Sequence, residues 1–364
     1  TVDPAARSAR VGPGARWAQV DAATQPHGLA TTGGTVSHVG VSGFVLGGGG
    51  GWLTRKFGLA VDNLRAARLV TAEGRVVRVS EEENPDLLWG LRGGGGNFGV
   101  VTEFELQLHP FGPDILGGQV IYTLDRAPEV LRAYRDCMRT APDEVACYPF
   151  FIRIPPMEVF PEVVHGQVVL DMVVVYAGPP EDGARHLAPF REHKGVVMDT
   201  IGRLPYVAMQ QSFDAGMAAG NRWYSRYLQL DEVTDAFLDG LLDNLEPFPG
   251  PLTAVYLGAQ GGAPYRVPRD ATAFPHRDLA DALHIFPGWM DPSEDEVVMA
   301  WARGLFETLR PHAAPGIYSN MLAEDEDDRL AEAWLANRQR LAELKRRWDP
   351  DNLFRGNHNV QPAS

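Results

Sequence analysis

The hydrophobic and polar positions of this chain change period several times, and each change predicts an element. Val100 to Leu108 alternate with period two, the mark of a half-buried strand. Arg68 to Thr71 and Val76 to Val79 flank Ala72-Glu73-Gly74 and predict a hairpin. Earlier, a strand from about residue 8 leads into a turn at Gly12-Pro13-Gly14 and a short helix from Trp17 to about Gln25, stopped by Pro26-His27-Gly28. Asn84-Pro85 predicts an N-cap and first helical position, with Leu87, Leu88 and Leu91 following. Beyond a loop holding Pro110 and Pro113, strands at 118–124, 148–154, 167–176, 252–259, 281–286 and 316–322 alternate with helices. One of these helices runs from Pro128 to Met138 with Leu131, Tyr134 and Met138 on one face. The last predicted helix spans about Asp327 to Trp348, striped by Leu330, Trp334, Leu341, Leu344 and Trp348, with Lys345, Arg346 and Arg347 in the turn where the helix dipole favours cations. The pattern predicts an α+β chain with a sizeable antiparallel sheet, in two domains or in one with a large insertion.

Composition and charge narrow the partners. A net charge of −14 opposes binding to nucleic acid or to an anionic membrane, which leaves a small molecule as the expected partner. Cys137 and Cys147 match no metal-ligand spacing, so no metal site and no disulfide scaffold is expected. The apolar run Val168 to Tyr176 is broken by Asp171 and is far too short to cross a bilayer. The chain opens at Thr1 with neither an initiator Met nor a signal pattern, so a processed product or fragment is expected, with a cytoplasmic location.

Candidate chemistry is concentrated in glycine. The run from Gly33 to Leu46 is followed by five glycines, Gly47 to Gly51, whose backbones can come close to another body. Either a flat or phosphate-bearing ligand lies against them, or they form a tight turn between strands. A second cluster contains G-x-G-x-x-G at Gly94, Gly96 and Gly99. A dinucleotide fingerprint needs a helix immediately afterwards, and here the strand from Val100 follows, so a Rossmann nicotinamide dehydrogenase is disfavoured.

Four blocks carry a resemblance to a family: Gly33–Asn63, Asn84–Thr102 (NPDLLWGLRGGGGNFGVVT), Thr272–Arg277 (TAFPHR) and Arg347–Asn359 (RWDPDNLFRGNHN). They resemble the FAD-linked oxidases of the vanillyl-alcohol-oxidase type, in the berberine bridge enzyme-like branch with its bacterial 6-hydroxy-D-nicotine oxidase-like members. The resemblance implies a PCMH-type FAD-binding domain over 1–113, a substrate domain with a large antiparallel sheet and flanking helices over 114–325, and a return to the FAD domain over 326–364. It also implies flavin contacts at Gly34, Val36, Ser37, Val39, Gly40, Ser42, Gly43, Gly47, Asp62, Asn63, Val101 and Asn357.

Family members begin with a further phosphate-binding segment, which in many carries a histidine linked to FAD. A covalent histidyl link is therefore expected only through a segment outside this chain: a partner fragment supplies it, the chain is truncated, or FAD binding is compromised, and an N-terminal fragment or a homo-oligomer is the expected protein partner. Where doubly linked members have cysteine in G-x-C-x-x-V-G, this chain has Val36 in Gly34-Thr35-Val36-Ser37-His38-Val39-Gly40, so no cysteinyl link is expected. A valine at the place of Val39 goes, in this branch, with oxygen reaching the flavin.

The implied reaction is removal of a hydride from a C–H beside an alcohol or amine, with O2 as acceptor. Counting back from Trp289, His284 falls where family members carry Gln, Glu, Asp or Asn on the strand over the flavin, so the resemblance makes it the first catalytic candidate, the other reading being a structural strand histidine. Tyr318 in Tyr318-Ser319-Asn320-Met321 matches a Y-x-N motif near the active site, or is a core tyrosine. His276 and Arg277 read as packing residues, His38 as a loop histidine, and Tyr224, Tyr227 and Tyr256 as pocket or core. The competing class is a flavin-free or inactive remnant that binds a small molecule.

Overall fold

The computed structural model describes residues 1–258, 261–356 and 358–364. The half-buried strand Val100–Gln107 sits in the middle of the first sheet, with Val101, Phe104 and Leu106 buried and Val100 in solvent. Among the described residues this sheet is five-stranded and antiparallel, ordered Val2–Asp3, Ser8–Val11, Val100–Gln107, Leu64–Val70, Val76–Val79. Its inner face packs on Trp17 of the helix Trp17–Thr24 and on Leu87, Leu88 and Leu91 of the helix Pro85–Leu91. The strand after Gly99 is present, as the alternation requires. Asn84 precedes its helix in a left-handed conformation (φ 54°), and its side chain donates to Arg78 O at 2.7 Å instead of capping the helix.

The second lobe is built on an eight-stranded antiparallel sheet among the described residues. Its main path runs Val196–Asp199, Asp114–Thr123, Val168–Tyr176, Val145–Arg153, Ala254–Leu257, Asp281–Phe286, Arg226–Leu230. Val168–Tyr176 is buried at every position, because helices cover one face and the other is covered by residues of the first lobe at Val173 and Val175 and by Ile154 and Val164 at Val169. Leu170, Met172 and Val174 belong to one hydrophobic core with residues of the helices Ala127–Met138, Asp235–Asp243 and Asp295–Leu309. Val173 and Val175 pack instead with Trp52, Leu53 and Tyr206 on the inter-lobe side. No helix among the described residues is long and apolar enough to cross a membrane.

Three elements differ from the pattern-based reading. Residues 316–322 form no strand; Ser319–Met321 is a 3-10 turn, drawn in by side-chain bonds described below. The helix expected from Asp327 begins at Arg338 and runs to Trp348. Its predicted first half is 3-10 turns interrupted at Leu335 (φ 45°), where the Trp334 indole donates to Gly93 O at 3.1 Å and the Asn337 amide to Arg269 O at 2.9 Å. Those long-range bonds outweigh helix propensity in a segment whose buried side chains must reach two different loops. The edge strand Arg226–Leu230, too short to stand out by alternation, is buried throughout and completes the sheet.

The sheet encloses carboxyls that burial holds neutral. Asp171 is 1% exposed, its Oδ1 has no hydrogen-bond partner, and burial pushes its pKa to about 8. Burial also raises Asp281, which accepts from Tyr134 Oη at 2.7 Å, to about 7. These folded-state values lie above the unfolded one, so the folded protein holds more protons between them, and stability falls as pH rises from about 4 to about 8. In urea titrations at pH 5 and pH 8, Asp171→Asn is expected to lose less stability across that interval than the parent, by on the order of 2 kcal/mol. An equal loss in both proteins would show that Asp171 does not titrate in this way.

Candidate active site

A cavity of about 880 Å³ lies between the two lobes. One wall is the glycine-rich segment: Gly34, Val36, Val39, Gly40, Ser42 and Gly43 all line it. A Cβ built on Gly40, Gly43 or Gly96 meets nothing within 4 Å, so the space beside these backbones is open to a flat ligand. Gly95, Gly96 and Asn97 of the second glycine cluster extend this wall, and Gly356 and His358 of the C-terminal tail join it. The tail is held there by Asn97, whose amide donates to His358 O at 2.9 Å and whose oxygen accepts from Val360 N at 2.9 Å.

The opposite wall is the large sheet. Tyr256, His284 and Tyr227 stand side by side on three neighbouring strands, in register, with Tyr148 and Gln229 at the edges of the patch. Tyr256 and His284 stack at 4.3 Å with an interplanar angle of 8°, and Tyr227 meets His284 edge-on at 4.8 Å. Burial without a charged partner pushes the His284 imidazole down to about 3, so it is neutral at pH 7.

Tyr318 and Asn320 enter from the turn where the chain passes back to the first lobe. The Tyr318 oxygen accepts from Gly49 N at 2.7 Å and from Asn320 Nδ2 at 2.8 Å. Both acceptor positions of the phenol are thus filled, which leaves its O–H as the group offered to the cavity. The two donors favour the phenolate, but burial outweighs them and raises Tyr318 to about 12. Asn320 also donates to Gly43 O at 3.2 Å. A Cβ on Gly47 would lie 2.0 Å from Asn320 Oδ1, and one on Gly48 2.9 Å from the Tyr318 ring.

The remaining predicted residues lie behind the walls. Ser37 is engaged by Asp214, with its N at 2.8 Å and its Oγ at 2.5 Å from the carboxylate. Gly47 faces Asn320. Asp62 pairs with Arg277 at 2.8 Å and accepts from Leu59 N at 2.9 Å. The Asn63 amide donates to Phe57 O and Leu59 O, both at 2.9 Å. Val101 is in the core of the first sheet. Asn357 lies outside the described residues. These five described positions brace the wall and do not line it.

Among the secondary candidates, His276 lines the cavity, with Nε2 3.0 Å from Ala333 O, and burial lowers its pKa to about 4. Tyr227 and Tyr256 line it as well, whereas Tyr224 is bonded to Asp325 at 2.8 Å away from the lining. His38 is half-exposed beside Asp214. Sequence reasoning overlooked Tyr148, Gln229, Phe274 and Asn320. Asn320 carried a signal in its place two residues after Tyr318 and Phe274 in its place within the TAFPHR block; Tyr148 and Gln229 had none that distinguishes them from core or strand residues.

Two family descriptions match the chain: "FAD binding domain" over residues 1–80 and "Berberine and berberine like" over residues 317–361. An FAD-linked oxidoreductase of Dictyostelium discoideum is 29% identical over 99% of this chain and 77% of its own length. The (R)-6-hydroxynicotine oxidase of Paenarthrobacter nicotinovorans is 31% identical over 99% of this chain and 79% of its own. The crystal structure of 6-hydroxy-D-nicotine oxidase from Arthrobacter nicotinovorans superimposes with a TM-score of 0.86 at 28% identity, covering 100% of this chain and 80% of that one. The open glycine backbones fit the close approach of a flavin, and the two matched segments meet on that wall. Similar to such relatives along nearly its whole length, the chain belongs to the FAD-linked oxidoreductases of the berberine-like family.

Proposed function

We propose that the protein is an oxidase that removes a hydride from a C–H beside an alcohol or amine of a small metabolite and delivers the electrons to O2. The observation that carries this reading is the meeting of two polar groups, His284 and Tyr318, in the cavity that the glycine wall faces. FAD, when bound, supplies the hydride acceptor and the route to oxygen. The glycine wall, with Gly34, Val36, Val39, Gly40, Ser42 and Gly43, holds the flavin, while Ser37, Gly47, Asp62, Asn63 and Val101 keep that wall in place. The neutral His284 imidazole accepts the substrate's O–H or N–H hydrogen bond and so eases departure of that proton as the carbon is oxidised. Tyr318 donates its own O–H to the same heteroatom and orients it.

Val39 lines the cavity, and a valine at this place supports oxygen as acceptor. The relative named (R)-6-hydroxynicotine oxidase supports the same direction. No cysteinyl attachment is proposed: Val36 stands on the wall, and both cysteines belong to the helix-covered side of the large sheet.

The purified protein is expected to be yellow and to release hydrogen peroxide when supplied with a panel of small alcohols and amines, read by a peroxidase-coupled assay. A colourless protein that takes up no added FAD would instead favour the flavin-free binding protein. His284→Ala is expected to lower kcat by roughly 10²–10⁴-fold; an unchanged kcat would remove His284 from the reaction. Because His284 is already neutral above about 3 and Tyr318 stays protonated below about 12, neither titrates in the working range. The kcat/KM profile for an alcohol substrate is therefore expected to be flat between about pH 5 and pH 10. A bell centred near pH 7 would contradict these assignments.

A further inference from the structure

The sheet wall carries one unusual side chain, Gln229. Next to the row Tyr256, His284, Tyr227, the same-facing row two residues along runs through Gly258, Ala282 and Gln229. Of this row Gly258 and Gln229 line the cavity, while Ala282 is buried in the core between them. A Cβ on Gly258 would already be 3.6 Å from His284 Nε2 and 3.7 Å from the Tyr148 ring.

Gln229 is 1% exposed and lines the cavity. Among the described residues neither its Oε1 nor its Nε2 makes a hydrogen bond of good geometry, and the Tyr227 hydroxyl interacts with the amide from one side. Gly316 (φ 115°) makes room for the amide, since a Cβ there would sit 2.7 Å from Gln229 Oε1. A buried amide whose hydrogen-bonding capacity the fold leaves incomplete is costly, and native proteins rarely keep one unless something outside the fold completes it. The amide belongs to the sheet wall, across the cavity from the glycine backbones that face the flavin, so what completes it arrives with the substrate.

Charge restricts that substrate further. None of the described residues lining the cavity is Asp, Glu, Lys or Arg. A charged ligand would give up its hydration here with no counter-ion to replace it, while a flat ring finds the faces of Tyr148, Tyr227, Tyr256, Phe274 and His284.

We infer that Gln229 is a substrate-reading residue, and that the substrate is an uncharged, ring-bearing molecule with a group that both donates and accepts a hydrogen bond, such as a hydroxyl, for the Gln229 amide to pair with. The inference rests on the oxidase reading above and narrows it: an alcohol enters as it is, whereas an amine must enter without its proton.

The test is binding, without turnover. The FAD-containing protein is titrated at pH 7 by calorimetry with phenol, anisole, benzoate and benzylamine, and flavin content and absorbance are recorded alongside. Phenol is expected to bind at least tenfold more tightly than each of the other three. Gln229→Leu is expected to bring phenol and anisole within about twofold of each other, because the amide that separates them is gone, with flavin content and spectrum unchanged. Gln229→Met is measured in parallel, so that a packing defect in one variant is distinguished from loss of the amide. Benzoate or benzylamine binding as tightly as phenol would overturn the uncharged-substrate inference, the amine case pointing to an aromatic cage for cations. A phenol-to-anisole ratio unchanged in both variants would overturn the role of Gln229, leaving its amide to an ordered water. Loss of flavin from both variants with the ratio retained would likewise overturn it and assign the amide to the cofactor. Failure of the oxidase reading is seen separately, as wild-type protein without flavin.

Discussion

The seam between Gly47–Gly49 and Tyr318–Asn320 is the contact on which the rest of the site depends. The glycine run has no side chains there because none would fit: the Asn320 amide and the Tyr318 ring occupy the space a Cβ would need. In return the Gly49 N–H and the Asn320 amide both point at the phenol oxygen, so the backbone of one lobe orients a side chain of the other. The Tyr148 hydroxyl repeats the device further along, donating to Gly51 O at 2.9 Å. These bonds set the distance between the two cavity walls. They also explain why 318–320 turns inward as a 3-10 element when its apolar pattern suggested a strand.

The chemistry of the cavity follows from what burial does to charge. With no carboxylate, ammonium or guanidinium among the described lining residues, nothing offsets the cost of ionising His284 or Tyr318, and each stays in its neutral form. The imidazole is therefore an acceptor and the phenol a donor at any ordinary pH. Their roles are set by surroundings, and no change of protonation before substrate arrives is needed. The same absence of charge makes an incompletely paired amide such as Gln229 conspicuous, because in this setting an unmet hydrogen bond is the strongest recognition signal left.

The chain's return to the first lobe is secured by a buried ion pair in which every donor is used. Lys345 and Asp349 are both fully buried, and Lys345 Nζ lies 2.6 Å from Asp349 Oδ2, 2.7 Å from Asn97 O and 2.6 Å from Phe354 O. Three donors meeting three acceptors is the condition under which a buried ammonium is tolerated. The result fastens the tail that carries Gly356 and His358 to the second glycine cluster, which explains why two segments at opposite ends of the chain form one wall. The apparent nucleotide fingerprint at Gly94 contributes to that wall through Gly95 and Gly96, with a strand and no helix behind it.

What the sequence determined alone is whatever repeats locally. The alternation of Val100 to Leu108, the buried β-branched run Val168 to Tyr176 and the hairpin around Gly74 each report burial through a few neighbouring residues, and each is found as read. The glycine run announced close backbone approach for the same reason. Tertiary structure decided which residues of that run line the cavity and which brace it, since Gly43 and Gly47 are alike until Asn320 settles against the second. It decided where the last helix begins, through bonds from Trp334 and Asn337 to distant loops. It also decided that, among the described residues, the Gln229 amide lacks a hydrogen bond of good geometry, a property of everything that surrounds the residue and of nothing beside it in the chain. Gly49 and Tyr318 are 269 positions apart, and a hydrogen bond across that separation leaves no periodic trace in the sequence; the folded packing alone brings the two groups together.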